Sequence, residues 1–154
     1  MKSRSLRLPL QPPRDANGNV VPHDHPEILN EHGVIRRVSE EHIVDDEKCP
    51  TGRRISTMLF RASSGPNGGM SVDLQNEIEK DGHNATVYVR TPRFFGSVRL
   101  QAGEYRGLGF LVGADPNPTN EYHGEVWGTF TKPKQKRLLG LCDWFVPISG
   151  VSIK

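Results

Sequence analysis

The chain contains few of the residues and patterns that usually disclose a protein's compartment. Only two cysteines, Cys49 and Cys142, occur among 154 residues. This number is too small for a disulfide framework and is typical of reduced thiols in the cytoplasm. No apolar run approaches the roughly 20 residues needed to span a bilayer, and the short apolar patch at residues 6–10 predicts no signal peptide. We therefore expect a cytoplasmic protein without membrane contact.

The familiar catalytic and cofactor motifs are also missing. The sequence has no Gly-x-Ser-x-Gly elbow, no phosphate loop ending in Gly-Lys-Ser/Thr and no dinucleotide fingerprint. His23 and His25, even together with His32 and His42, match no standard zinc spacing, and neither cysteine has a CxxC companion. We therefore expect no metal site and no evident cofactor, and the sequence leaves open whether the protein is an enzyme.

What the composition does supply is a loop-rich chain with a modest core. Apolar residues make up 34% of the chain, and there are 16 glycines and 12 prolines, so many turns must surround the core. Prolines punctuate residues 1–27, which predicts an irregular N-terminal arm, and residues 28–154 are predicted to form one globular domain. The net charge of +2 is too small to indicate a partner.

Short β-favouring runs separated by turns predict an α+β fold with a mainly antiparallel sheet and one or two short helices. The predicted strands are residues 33–38, 85–90, 97–101, 107–114 and 124–131. Residues 107–114 and 124–131 are expected to pair across the loop at 115–120. Residues 54–60 fit either a strand or a short helix, and residues 132–139 predict a short basic helix.

A glycine-rich segment, residues 65–71, gives the one local indication of ligand binding. We expect it to lead into a helix over residues 71–81, with Ser71 as the N-cap and Gly82 at the end. Gly68 and Gly69 would let a phosphate approach the N–H groups at the start of that helix. The alternative is that these glycines only permit positive φ angles before a capped helix.

His123 is the candidate for an acid, a base or a ligand to a substrate oxygen, because it follows a loop and precedes an apolar run. Glu121 and Glu125 lie close enough in the sequence to orient its ring. The alternative is a capping or surface histidine without a role.

Several arginines are candidates for holding an anion. Arg36 and Arg37 lie on a β-favouring run, and Arg61 precedes the glycine-rich segment. Arginines also alternate with aromatic residues further along the chain, most densely at residues 90–95. That pattern suits single-stranded nucleic acid, because rings stack on bases while guanidinium groups meet phosphates. The alternative is a solvated sheet face, and no established RNA-binding motif is present.

The order of several short motifs resembles a group of small bacterial single-domain proteins of uncharacterised function. The motifs are Ile35-Arg-Arg-Val38, Phe60-Arg61, Met70-Ser-Val-Asp73, Leu108-Gly109, Asp115-Pro116 and His123-x-x-Val126-x-Gly128. The resemblance implies a bacterial origin and lends no particular activity.

A looser resemblance is to the ADP-ribosyltransferase fold, whose members place an early-strand arginine or histidine, a middle-strand serine and a later glutamate around a nicotinamide cleft. Arg36 or Arg37, Ser71 and Glu125 match those parts in chain order, although no Ser-Thr-Ser or Glu-x-Glu motif accompanies them. This resemblance implies nucleotide processing.

These observations leave three hypotheses. In the first, the domain binds a phosphate-bearing ligand or a protein partner, and residues 65–71, Arg61 and an arginine of the sheet hold the anion. In the second, it is a nucleotide-processing enzyme, which requires His123, Ser71 and Arg36 or Arg37 to converge in one cleft. In the third, it is an accessory subunit of a larger bacterial system that docks through its arm and its sheet edges.

Overall fold

The computed structural model describes residues 8–63 and 68–153, and its main feature is a six-stranded antiparallel sheet. The strands in these ranges are β1 (Gly33–Val38), β2 (Ile43–Asp45), β3 (Arg53–Ile55), β4 (Met70–Leu74), β5 (Gly96–Gln101), β6 (Leu111–Ala114), β7 (His123–Trp127) and β8 (Asp143–Val146). The order across the large sheet is β6-β7-β4-β1-β5-β8, while β2 and β3 form a separate pair. The predicted α+β class with a mainly antiparallel sheet is confirmed.

Short helices connect these strands. Within the described ranges they are α1 (Gln75–Lys80), α2 (Ala85–Tyr88), α3 (Ala102–Gly107) and α4 (Lys132–Leu141), with single 3-10 turns at Glu40–His42 and Thr57–Leu59. The helices therefore outnumber the one or two that the sequence predicted. None of the helices in the described part of the chain is long and apolar enough to cross a membrane.

One face of the six-stranded sheet, here called the apolar face, carries the main hydrophobic core. Successive side chains of a strand point to opposite faces, so every second residue faces this core. In β1 these residues are Val34, Arg36 and Val38, and the charged Arg36 interrupts an otherwise apolar row. Fully buried side chains from outside the sheet close this face: Ile55, Leu59, Phe60, Tyr105, Phe110 and Leu138.

The opposite face, here called the polar face, is only partly covered. The helices α1 and α2 lie over it and form a second, smaller apolar cluster of Ile35, Ile78, Ala85, Val89, Tyr122 and Val146. Beyond this cluster the same face carries Arg37 of β1, Asp73 of β4 and His123 of β7. The uncovered part of the polar face is the site of the cleft described below.

The helix predicted over residues 71–81 starts later than expected. Residues 70–74 form β4, and α1 begins only at Gln75. Ser71 is paired with Glu125 of β7, because Val72 and Leu74 enter the apolar core in strict alternation. Joining the sheet brings backbone hydrogen bonds and apolar burial that outweigh a single helix cap, which contributes about 1 kcal/mol. The prediction of Ser71 as an N-cap is therefore wrong.

The strand predicted over residues 85–90 is a helix instead. The side chain of Asn84 accepts hydrogen bonds from the backbone N–H groups of Thr86 and Val87, which caps α2. Val87 is 68% exposed, so its strand-favouring side chain has no core to enter. The local cap and the burial of Ala85 and Val89 on one side of the turn overrule β propensity here.

Other predicted elements are present, although β6 and β7 are shorter than the strands predicted at residues 107–114 and 124–131. β1 occupies residues 33–38 as predicted, and β6 pairs antiparallel with β7 across the loop after Ala114. The basic helix is confirmed as α4, capped by the Thr131 side chain. The segment at residues 54–60 contains both expected forms, a strand end and a 3-10 turn. Helix α3 was not predicted, because residues 102–107 hold two glycines and little apolar periodicity.

The N-terminal segment lies along the outer edge of the sheet. Residues 8–27 contain turns and one isolated bridge, between Arg14 and Val20, and they satisfy backbone groups of β6 that no strand covers. The N–H of His25 donates to the carbonyl of Val112, whose own N–H donates to the Asp24 carboxylate. The N–H of Ala114 donates to Nε2 of His23. These contacts cover an edge that would otherwise be open to strand pairing.

Candidate functional site

A cleft with a volume of about 560 Å³ opens on the polar face between β1, β4, β7 and the loops beside them. Strand neighbours supply its floor, since β7, β4 and β1 are adjacent in the sheet. The side chains that line it are Arg36, Arg37, Ser71, Val72, Asp73, Tyr88, Thr91, Phe94, Asn117, Thr119, Asn120 and His123. The structure therefore brings together four of the residues singled out from the sequence: both adjacent arginines, Ser71 and His123.

Arg36 lies at one end of the cleft and is almost entirely buried, with 7% of its surface exposed. Its Nε donates to the carbonyl of Leu59 at 3.0 Å, and Nη1 donates to the carbonyl of Ser71 at 3.0 Å and to Oγ of Ser63 at 3.4 Å. All three acceptors are neutral. Burial lowers the pKa of the guanidinium from its ordinary value, because desolvation disfavours the charged form.

Arg37 is held in a different way, by a carboxylate. Its Nε and Nη2 donate to the two oxygens of Asp73 at 2.8 and 3.0 Å, a bidentate pair. Nδ2 of Asn120 donates to the same carboxylate at 2.9 Å, and the Tyr88 hydroxyl donates to Oδ1 of Asn120 at 2.7 Å. This chain of four side chains joins β1, β4, α2 and the loop before β7 into one wall of the cleft. Burial is the main reason that the pKa of Tyr88 is raised.

His123 lies at the start of β7, opposite Asp73 in the sheet. Its Nδ1 is 3.0 Å from the backbone carbonyl of Asp115 and 3.0 Å from that residue's Oδ2. Because both neighbours are acceptors, Nδ1 carries the proton in the neutral ring and Nε2 keeps its lone pair. The sequence pointed to Glu121 and Glu125 as the orienting groups; the carboxylate that holds the ring is Asp115.

The glycine-rich segment does not lead into a helix, so the predicted phosphate site at a helix start is wrong. Residues 64–67 lie outside the described ranges, and the two ends of the segment meet at Ser63. Its N–H donates to the carbonyl of Gly69, and its Oγ accepts from the N–H of Ser71. Gly68 has φ +70°, which favours glycine. A Cβ on Gly69 would lie 2.6 Å from Oε2 of Glu125, so the glycine permits close approach of that carboxylate.

The remaining arginines of the middle sheet do not form one surface. Arg106 holds Asp24 and Asn30 near the N-terminal segment, whereas Arg99 lies over the ring of Phe145 at the far side of the sheet. The guanidinium carbon Cζ of Arg93 lies 5.0 Å from the centre of the Phe94 ring, at the cleft. Arg61 is exposed and close enough to lower the pKa of Arg36 through charge repulsion.

The histidines of the first half of the chain have structural partners. Rings of His23 and Trp127 are in contact on the polar face, and His25 accepts from the N–H of Glu27. His42 is buried, and its Nδ1 accepts from the N–H of Ser39 at 3.0 Å. Burial first, then the charge of Arg36, lowers its pKa to about 4. Within the described ranges, the grouping of side chains that suits a metal ion is a different one: Asp115, His123 and Glu125.

Sequence reasoning missed the groups that hold the candidate residues in place. Asp73 and Asn120 fix Arg37, and Asp115 fixes His123. The 115–120 loop was recognised only as a turn signal. Its Asn117 side chain does accept backbone N–H groups as such signals imply, but nothing in the pattern shows that Asn120 reaches Asp73.

The fold and the cleft define an α+β domain with a polar, arginine-lined cleft on one sheet face. Comparison of the chain with protein-family models, with curated proteins and with solved structures finds no match. The resemblance to a group of bacterial proteins therefore stays a prediction.

Proposed function

We propose that the cleft binds a small phosphate-bearing ligand, such as a nucleotide. The observation that carries this proposal is the environment of Arg36. Its guanidinium is buried, its hydrogen bonds within the described ranges go to neutral oxygens, and it still lines an open cleft. A buried cation is costly unless a counter-charge and hydrogen bonds compensate it. The carboxylates of Glu125 and Glu41 act to raise the pKa of Arg36, but burial lowers it more, and a ligand phosphate would supply a counter-charge together with hydrogen bonds.

The donor geometry of Arg36 supports this role. A guanidinium has five N–H groups, and the three acceptors named above occupy Nε and Nη1. The two N–H groups of Nη2 make no hydrogen bond to any residue in the described ranges. These two N–H groups can therefore donate to phosphate oxygens, which a guanidinium group often binds through two parallel hydrogen bonds. The nearby positive charge of Arg61 favours the same kind of ligand.

The rest of the cleft suits the remainder of a nucleotide. Its volume of about 560 Å³ falls in the range of roughly 300–1,000 Å³ that is usual for small-molecule sites. Its lining contains two arginines and one aspartate, which gives a net positive charge. The aromatic rings of Tyr88 and Phe94 offer faces on which a base can stack.

Thermal unfolding with a panel of inorganic phosphate, pyrophosphate, AMP, ADP and NAD⁺ tests the proposal. A ligand that binds the folded protein at 100 times its dissociation constant raises the free energy of unfolding by about 2.7 kcal/mol. We expect at least one phosphate-bearing probe to raise the melting temperature and the corresponding nucleoside to have a smaller effect. A flat panel would contradict the proposal and would favour a protein partner.

Arg61→Ala locates the site. Arg61 is exposed, so its removal leaves the core intact. We expect its affinity for the stabilising probe to fall by about tenfold, because one nearby charge on a phosphate site contributes about 1 kcal/mol or more. Arg137→Ala is the matched control, since Arg137 is exposed on α4 and does not line the cleft. Equal affinities in the two variants would place the ligand elsewhere.

A second candidate function is nucleotide processing with His123 as the acid or base. It is favoured by the Asp115-held ring, which keeps the lone pair on Nε2, and by the position of His123 in the same cleft as Arg36. Ser71 and Glu125, two of the residues in the ADP-ribosyltransferase resemblance, are paired on the neighbouring strands β4 and β7, which supports this candidate. NAD⁺ is therefore included in the panel.

His123→Asn separates binding from turnover. Incubation of the stabilising nucleotide with the wild-type protein, followed by chromatography of the products, measures turnover. We expect the variant to lose turnover while it keeps the ligand-induced rise in melting temperature. A wild-type protein that binds but never converts its ligand excludes the enzymatic alternative and leaves the binding proposal standing.

A further inference from the structure

We propose that Asp115, His123 and Glu125 form a site for a divalent first-row transition-metal ion such as Mn²⁺ or Zn²⁺. This site goes beyond the anion-binding role of the arginines, because it uses other side chains and binds a cation. One donor atom from each of the three residues lies within 4.8 Å of the other two. Two carboxylates and one imidazole form a mixed oxygen and nitrogen donor set, which suits such ions.

The sheet itself brings the three ligands together. His123 and Glu125 are two residues apart on β7 and therefore project from the same face. Asp115 comes directly after Ala114, the last residue of β6. Ala114 pairs with Gly124, which lies between His123 and Glu125 on β7. Two of the ligands lie on β7, and the N–H of Asp115 donates to the carbonyl of His123, so the backbone positions all three before an ion arrives and lowers the entropy cost of binding.

The distance between two of the donors already matches coordination. Nδ1 of His123 lies 3.0 Å from Oδ2 of Asp115. Two ligands at right angles on an ion with bonds of about 2.1 Å are about 3.0 Å apart. The ion thus takes the place of the proton that these atoms share in the metal-free protein. The Asp115 carbonyl, also 3.0 Å from Nδ1, is a further oxygen within reach.

The charges at the site favour a cation as well. Asp115 and Glu125 bring two carboxylates into one small volume, and Glu125 is 1% exposed. Arg36 is near enough to Glu125 for the two charges to interact, and a divalent ion would add a direct counter-charge between the two carboxylates. His123 lines the cleft, so a remaining coordination position would open toward a ligand held there.

Titration of the metal-free protein with Mn²⁺, with the free ion counted by electron paramagnetic resonance, tests the proposal. We expect saturable binding of one ion per chain. Asp115→Asn removes one charged donor from a side chain that is 24% exposed, so the variant is expected to fold. Its affinity should fall by about tenfold or more. Glu121→Gln is the matched control, because Glu121 is exposed and two residues from His123 but outside the cluster.

Nitrogen NMR of His123 with Zn²⁺ gives a second, independent readout. In the metal-free protein we expect the proton on Nδ1, held by Asp115. On binding, Nδ1 becomes a ligand and the proton moves to Nε2. A protein that binds no Mn²⁺, or that binds it equally well with Asn at position 115, overturns the proposal. So does a His123 ring whose signals do not change. None of these results bears on phosphate binding, which is measured without metal.

Discussion

The two faces of the six-stranded sheet are formed by alternate residues of the same strands, yet they differ in burial and in chemistry. In β4, Val72 and Leu74 enter the apolar core, while Ser71 and Asp73, their immediate neighbours, line the opposite side. Because a strand alternates strictly, each strand contributes to both faces at once. The apolar face supplies most of the buried area, and the polar face supplies the groups capable of chemistry. Stability and function are therefore expected to respond to different substitutions in the same strands.

The exception to this division is Arg36, which belongs to the apolar row of β1 and yet reaches the cleft. It does so by donating to the carbonyls of Leu59 and Ser71, which belong to the two segments beside it. A charge in that position costs stability, because burial disfavours ions. Its presence in the core is explained by its contribution to the cleft, and its charge adds to the effect of burial in lowering the pKa of His42.

The largest expected effect contrasts two phenylalanines. Phe60 is fully buried on the apolar side, so Phe60→Ala should lower the free energy of unfolding by about 3–5 kcal/mol. Phe94 lines the cleft and is only partly buried, so Phe94→Ala should cost less than about 2 kcal/mol. Urea denaturation of both variants measures the difference. Similar losses in the two variants would show that the polar face carries as much of the stability as the apolar one.

The second prediction concerns pH, and its origin is the burial of His42, to which the charge of Arg36 adds. Burial and the nearby arginines lower the pKa of His42 to about 4, whereas the unfolded chain titrates near 6.5. Below pH 6.5 the His42 ring is protonated in the unfolded chain, whereas in the folded protein it stays neutral until the pH approaches 4. Stability from this group is therefore complete above pH 6.5 and is lost as the pH falls toward 4, by at most about 3 kcal/mol.

Urea denaturation at pH 7.5, 6.0 and 4.5 tests this dependence. The wild-type protein should lose stability over that range, and His42→Asn should lose much less, because asparagine does not titrate. Asparagine also retains an oxygen that can accept the hydrogen bond from the Ser39 N–H, which Nδ1 of His42 accepts in the wild-type protein. Parallel curves for the two proteins would mean that carboxylates, not His42, set the acid sensitivity.

Much of the fold was predictable because its signals are local. The β-favouring residues of the run 33–38 predicted β1, and the turn residues at 115–120 predicted the connection between β6 and β7. The segment at residues 71–81 was not predictable in the same way. Ser71 has the chemistry of a helix cap, and only its partner Glu125, far along the chain, makes it part of a strand. The prediction of a strand at residues 85–90 was wrong because the helix cap formed by Asn84 was not weighed against β propensity.

The candidate site was partly predictable for a topological reason. Arg36, Arg37 and His123 were chosen on or beside β-favouring segments, whereas Ser71 was chosen as the cap of a predicted helix. Their segments became β1, β7 and β4, which are neighbours in the sheet order β7-β4-β1. The partners of those residues were out of reach, because Arg37 meets Asp73 across 36 positions and Asn120 meets Asp73 across 47. Contacts of that separation depend on the complete tertiary structure. The side chains of the proposed metal site illustrate both cases, since His123 and Glu125 were singled out from the sequence and Asp115 was not.

The smallest expected effect tests whether the wall of the cleft acts as a unit. Tyr88→Phe removes one hydrogen bond of 2.7 Å to Asn120, which should cost about 1 kcal/mol of stability. Tyr122→Phe is the matched control, because its hydroxyl makes an equally short bond, also 2.7 Å, to Asp81, and neither residue lines the cleft. Only the first variant should also weaken binding of the phosphate-bearing probe.

A double-mutant cycle of Tyr88→Phe with Asn120→Ala decides the point. Asn120 links Tyr88 to Asp73, and Asp73 in turn orients Arg37. If the wall acts as a unit, the effects of the two substitutions on ligand affinity fall short of their sum, since either one already releases Asp73 on that side. Additive effects would mean that each side chain meets the ligand separately, and the polar face would then be a set of independent contacts rather than one supported network.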